Sequence, residues 1–164
     1  MRWFLLFSSL FDVVSTVIPD GVTLLSLKKH WTFEPSFISS TWTPSPSTPC
    51  SWAGVRCNNA LQVNYLNLTD FGIVGQLGPE IGNCTWLESL DLNSNNLIGQ
   101  IPYTLKNLRN LKFLSLSHNQ FSGEIPYSLT QITPLYLVDL SHNKLSGSIP
   151  SSVGNMSELM MLYL

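Results

Sequence analysis

"LSHNQFSGEIP" spans Leu116 to Pro126, and "LSHNKLSGSIP", Leu140 to Pro150, follows it twenty-four residues later. A chain that repeats at a short fixed period is built of units that cannot bury their apolar faces alone and do so by covering one another. Aligned on leucine, the frame extends in both directions. It gives four equal units, 63–86, 87–110, 111–134 and 135–158, and a fifth that begins at 159 and stops at 164. Units two to four share L-x-x-[LV]-x-L-x-x-N-x-[LF]-x-G-x-I-P, written in unit two by Leu87, Leu90, Leu92, Asn95, Leu97, Gly99, Ile101 and Pro102.

Leucine and asparagine at this spacing are the signature of an α/β leucine-rich-repeat solenoid. The L-x-L segment alternates with period two, so Leu90 and Leu92 turn inward while Ser89, Asp91 and Asn93 turn outward, and successive units stack as parallel strands. Asn95, Asn119 and Asn143 fall where the chain leaves each strand, where a buried amide can bond backbone groups the turn leaves unpaired. Gly99, Gly123 and Gly147 permit backbone angles closed to other residues, and Pro102, Pro126 and Pro150 can open a short helical turn. Unit one departs from the pattern: Phe71 stands in the asparagine position and Gly78 in the proline position, as expected of a terminal unit beside a cap.

Only 11% of the 164 residues are charged, against about 25% in ordinary globular domains. The net charge of −2 supplies no basic field for nucleic acid or an anionic membrane, so neither is an expected partner. "MRWFLLFSSLF" has one positive charge and a short apolar run, so residues 1 to about 18 are expected to be a secretory signal. No later segment is apolar enough to span a bilayer. Residues 19–62 are expected to form an N-terminal cap, with Asp20 as N-cap of a helix through "GVTLLSLKKHW" whose Leu24, Leu27 and Trp31 share one face. In a secreted chain Cys50 and Cys57 are expected to pair, leaving Cys84 buried at a leucine-like position of unit one.

The cap "DGVTLLSLKKHW…STW…TPCSWAGVRC", followed by G-x-I-P-x-x-L repeats, resembles the ectodomains of plant leucine-rich-repeat receptor-like kinases and receptor-like proteins. "DGVTLLSLKKHW" and "GQLGPEIG" are most similar to receptors for damage-released plant elicitor peptides. The resemblance implies a right-handed superhelix with an extra short sheet, and an extracellular face that senses a peptide or protein ligand in signalling or defence. It also implies a co-receptor leucine-rich-repeat kinase as partner, and a plasma-membrane location for the longer members. A secreted inhibitor of cell-wall-degrading enzymes, or a non-signalling decoy, is the alternative. Stopping after "LMMLYL" would leave an uncapped stacking edge, so the sequence is expected to be the N-terminal part of a longer ectodomain, lacking membrane span and kinase.

The outward strand positions define the expected ligand strip: Tyr65 and Thr69; Ser89, Asp91 and Asn93; Phe113, Ser115 and Ser117; and Leu137, Asp139 and Ser141. Aromatic and polar groups in this mixture suit an extended peptide. Three constellations suggest catalysis and do not sustain it. His118 and His142 lack a third ligand for zinc; Ser117, His118 and Asp139 lack an oxyanion hole; Asp91 and Asp139, about 10 Å apart by strand spacing, lack a cleft. No catalytic residue, metal or cofactor is expected. Asn67, Asn83 and Asn155 each begin an N-x-S/T sequon, the first on the ligand strip and the others away from it.

Overall fold

The computed structural model describes residues 19–44 and 48–164; the expected secretory signal lies outside the described residues. The cap contains α1 (Pro19–Lys28), β1 (Trp31–Phe33), α2 (Ser36–Thr41), a 3-10 turn at Pro49–Ser51 and β2 (Val55–Cys57). The repeats then alternate two kinds of short strand: β3 (Val63–Asn67), β4 (Val74–Gln76), β5 (Ser89–Asp91), β6 (Asn96–Gly99), β7 (Phe113–Ser115), β8 (Gln120–Glu124), β9 (Leu137–Asp139), β10 (Lys144–Ser146) and β11 (Met161–Tyr163). A 3-10 turn closes each unit; in units two to four it follows Pro102, Pro126 and Pro150 directly.

Odd-numbered strands of the repeats form one sheet in the order β11-β9-β7-β5-β3-β2, parallel except for the antiparallel β2. Its register pairs Tyr65 with Ser89, Ser89 with Phe113, Phe113 with Leu137 and Leu137 with Met161. Even-numbered strands form the second sheet, β4-β6-β8-β10, which β1 extends by antiparallel pairing with β4. The core lies between the sheets and the 3-10 turns: Leu66, Leu90 and Leu114 are wholly buried, as are Ile81, Leu105, Leu87, Leu111 and Leu135. This is a leucine-rich-repeat solenoid.

The asparagines work between units, not within one. Asn95 Oδ1 accepts from the Ile73 N–H at 2.9 Å, while its Nδ2 donates to the carbonyls of Leu68 and Leu92 at 2.8 and 3.0 Å. Asn119 repeats this on Leu97, Leu92 and Leu116, and Asn143 on Phe121, Leu116 and Leu140. Each amide therefore satisfies the turn of the unit before it, which explains why unit one needs none. Phe71 packs edge-on against Phe37 of the cap, ring centroids 4.8 Å apart. Gly99, Gly123 and Gly147 all have φ near +80°, the left-handed region where a side chain is strained.

The cap differs from expectation in two places. Asp20 lies inside the first turn of α1, and its carboxylate accepts from the Val63 N–H at 2.8 Å, tying the cap to the first repeat strand. Trp31 belongs to β1, because α1 stops at Lys28. Trp42 stacks on Trp52 with centroids 5.6 Å apart, Trp31 packs tilted against Trp42 at 5.4 Å, and the Trp42 Nε1–H donates to the Ala53 carbonyl. Cys50 and Cys57 are joined as a disulfide, their Cα atoms 5.3 Å apart, and Cys84 is free and buried.

Candidate functional site

The sheet register places the outward side chains in rows that run across the strands. The first row is Arg56, Tyr65, Ser89, Phe113, Leu137 and Met161. The second is Asn67, Asp91, Ser115 and Asp139, ending at Tyr163. Beyond the strand ends come Thr69, Asn93, Ser117 and Ser141.

The polar rows are internally bonded. Asn67, Asp91 and Asp139 each accept, through Oδ1, from the backbone N–H two residues on, at Thr69, Asn93 and Ser141. The Ser141 hydroxyl also donates to Asp139, at 2.7 Å. Ser117 donates to Asn93 Oδ1 at 3.2 Å and lies 3.2 Å from the Ser115 hydroxyl. With exposures of 5% and 2%, Ser115 and Ser117 offer a ligand almost no surface, which corrects their place in the expected strip. Ser115 is flanked in its row by the larger Asp91 and Asp139, and the two serines bond to each other and to Asn93. Alternation assigns a side chain to a face and does not say whether that face is open at that point.

Part of the strip forms a groove of about 470 Å³ lined by Asn64, Tyr65, Glu88, Ser89, Asp91, Lys112, Phe113 and Tyr136. Tyr65, Ser89, Asp91 and Phe113 were expected there; Thr69, Asn93, Leu137, Asp139 and Ser141 lie on the strip outside it. Asn64, Glu88, Lys112 and Tyr136 were missed. They occupy the position before each strand residue of the first row, and the backbone ladder continues through them, from Glu88 N–H to the Asn64 carbonyl and from Lys112 N–H to that of Glu88. Their signal was the same twenty-four-residue offset, read one position earlier. Lys112 and Glu88 form an ion pair at 2.6 Å along the groove wall. Arg56 lies over the Tyr65 ring, its Cζ 5.2 Å from the centroid.

Other candidate groups are engaged elsewhere. The His118 and His142 rings stack at 4.1 Å and 15°, and no group of three or more potential ligands gathers for a metal among the described residues. Ser117 is bonded to Asn93 and Ser115, not to His118. Burial pushes the Cys84 thiol well above its ordinary range, with the neighbouring Asp20 charge adding to it, so this thiol is inert. Burial also raises the Asp20 carboxyl, opposed by its bond from Val63. Asn83 and Asn155 are exposed, whereas the Asn67 amide is occupied on both sides, donating to the Tyr65 hydroxyl and accepting from Thr69. No described helix is long and apolar enough to cross a membrane.

Comparison with known proteins agrees with this architecture. A leucine rich repeat N-terminal domain matches residues 18–58, and the leucine rich repeat itself matches 86–108, 110–132 and 135–156. A receptor-like protein kinase of Ipomoea nil is 51% identical over 69 residues, covering 42% of this chain and 6% of that protein. The leucine-rich repeat receptor-like protein kinase PEPR1 of Arabidopsis thaliana is 46% identical over 77 residues, 46% of this chain and 7% of the receptor. The crystal structure of PEPR1-AtPEP1 superposes with a TM-score of 0.82 and 44% identity over 85% of this chain and 20% of that one. The BIR2 ectodomain from Arabidopsis thaliana gives 0.80 and 34% over 87% of this chain and 77% of that one. The chain thus spans under a tenth of the length of these two receptor kinases. It belongs to the leucine-rich-repeat family, in the group formed by the ectodomains of plant receptor-like kinases.

Proposed function

We propose that the first sheet presents an extracellular peptide-sensing surface of a plant cell-surface receptor acting in signalling or defence, and that the chain performs no catalysis itself. The observation that carries this reading is the groove between Tyr65 and Phe113. Aromatic walls there bound a floor made of the Ser89 hydroxyl and the Asp91 carboxylate, the latter already held by the Asn93 N–H, so little of its side-chain freedom is lost on binding. The solved complex of PEPR1 with AtPEP1 supports the same class of ligand, as does the 46% identity to that receptor over 77 residues. A co-receptor leucine-rich-repeat kinase is the further partner proposed.

The test is selection of binders from a library of random linear peptides on the immobilised full chain. Peptides are expected to be enriched, and Tyr65→Ala with Phe113→Ala is expected to weaken the enriched peptides at least about tenfold, as loss of buried aromatic anchors does. Failure to enrich any peptide, or enrichment indifferent to both substitutions, contradicts the proposal.

A further inference from the structure

The first row of the sheet reads, strand by strand, Arg56, Tyr65, Ser89, Phe113, Leu137 and Met161. Every position except Ser89 carries a side chain long enough to touch its neighbours. Ser89 is a missing rung. Tyr65 and Phe113 stand on either side of it, two strands and therefore about 10 Å apart.

A flat group entered over Ser89 would lie about 5 Å from each ring, inside the roughly 6 Å within which a cation is held over an aromatic face. The row already contains one such contact. Arg56, one strand from Tyr65 on the β2 side, holds its guanidinium carbon 5.2 Å from the ring centroid. Its approach from that side leaves the β5 side of Tyr65 to the groove. A single strand step in this sheet thus sets a guanidinium at stacking distance.

The charge at the gap distinguishes the occupant. Glu88 on the wall is neutralised by Lys112 at 2.6 Å. Asp91, next along β5 on the same face, has one oxygen committed to the Asn93 N–H, and no cation lies within ion-pair distance of it among the described residues. A planar cation stacked over Ser89 would therefore meet a carboxylate in need of a donor, whereas a neutral ring would leave it unanswered.

We infer that the gap over Ser89 is a subsite for an arginine side chain of a peptide ligand, its guanidinium sandwiched between Tyr65 and Phe113 and donating to Asp91. This rests on the peptide-sensing reading and names the chemistry that one part of the strip selects.

The test titrates the isotope-labelled full chain with a capped Ala-Ala-Arg-Ala-Ala peptide and follows amide chemical shifts. The same peptide with Lys or Phe at its centre serves as comparison. Shifts are expected to centre on Ser89 and Phe113, with the arginine peptide bound about fivefold more tightly than either comparison. Asp91→Asn keeps the acceptor for the Asn93 N–H and should remove that advantage. Ser89→Tyr, which continues the row of long side chains, should abolish the shifts at the gap. Equal binding of the Phe peptide, or binding unaffected by Ser89→Tyr, overturns the inference. If library peptides bind the strip while the arginine peptide leaves Ser89 and Phe113 unshifted, the subsite fails and the peptide-sensing reading stands. If no peptide of any kind binds the sheet, both fail.

Discussion

A single amide side chain, placed where the strand ends, can serve the backbone of two units. Asn119 accepts from Leu97 N–H and donates to the carbonyls of Leu92, Leu116 and Ser117, so its removal strands polar groups of two units at once. Each buried group left without a partner costs about 1–3 kcal/mol. Asn119→Leu is therefore expected to lower stability by at least about 2 kcal/mol in urea denaturation; a change under about 0.5 kcal/mol, typical of a surface position, would contradict it. Asp20 is the other single residue with a marked cost. Burial raises its carboxyl, so the folded chain holds that proton more tightly than the unfolded chain does. Its contribution to stability is then greatest below the ordinary value of 3.8 and is lost as pH rises through 3.8 to the raised folded value. Relative to the parent, Asp20→Asn should gain stability as pH rises across that window, since the amide still accepts from Val63 and carries no charge. A parent-minus-variant difference that is flat with pH would refute this.

At the scale of elements, the repeats were legible and the cap only in part. Period-two alternation with a twenty-four-residue offset gives strand register, inward leucines and the asparagine positions, because each is enforced again in every unit. β1 and α2 are single occurrences with no second copy to average against, and β1 is held by pairing with β4, more than forty residues away. The groove was half legible for a related reason. Tyr65, Ser89, Asp91 and Phe113 follow from alternation, while Glu88 and Lys112 lie just outside the strands and enter the groove only because the ladder runs on past them. The buried Ser115 and Ser117 show the reverse failure, since exposure depends on side chains of adjacent units. The cap's one covalent staple is open to direct test. By loop-closure entropy the Cys50–Cys57 ring is worth about 2–3 kcal/mol, and the paired substitution to Ala should lower stability by that amount. A reductant should then lower the parent by the same amount and leave the variant unchanged; sensitivity of both would mean that another thiol is responsible.

At the scale of the whole molecule, sparse charge is combined with an open sheet face. The eighteen charged residues are few for this surface, and Tyr103 and Tyr127 stand exposed beside their 3-10 turns. Glycans at Asn83 and Asn155 would supply hydration away from the strip, whereas one on Asn67 would attach at the nitrogen that donates to the Tyr65 hydroxyl and stand beside the groove. Mass spectrometry of the chain secreted from plant cells is expected to find sugar on Asn83 and Asn155 and none on Asn67, although all three were sequence candidates; occupancy at Asn67 would count against the strip as a ligand surface. The central claim is that the first sheet, and not the second, receives a peptide. Hydrogen–deuterium exchange on the full chain, with and without a library-selected peptide, measures this most directly. Protection gained in Tyr65–Asn67, Ser89–Asp91 and Phe113–Ser115 is the predicted result; protection confined to Asn96–Gly99 and Gln120–Glu124 would contradict it.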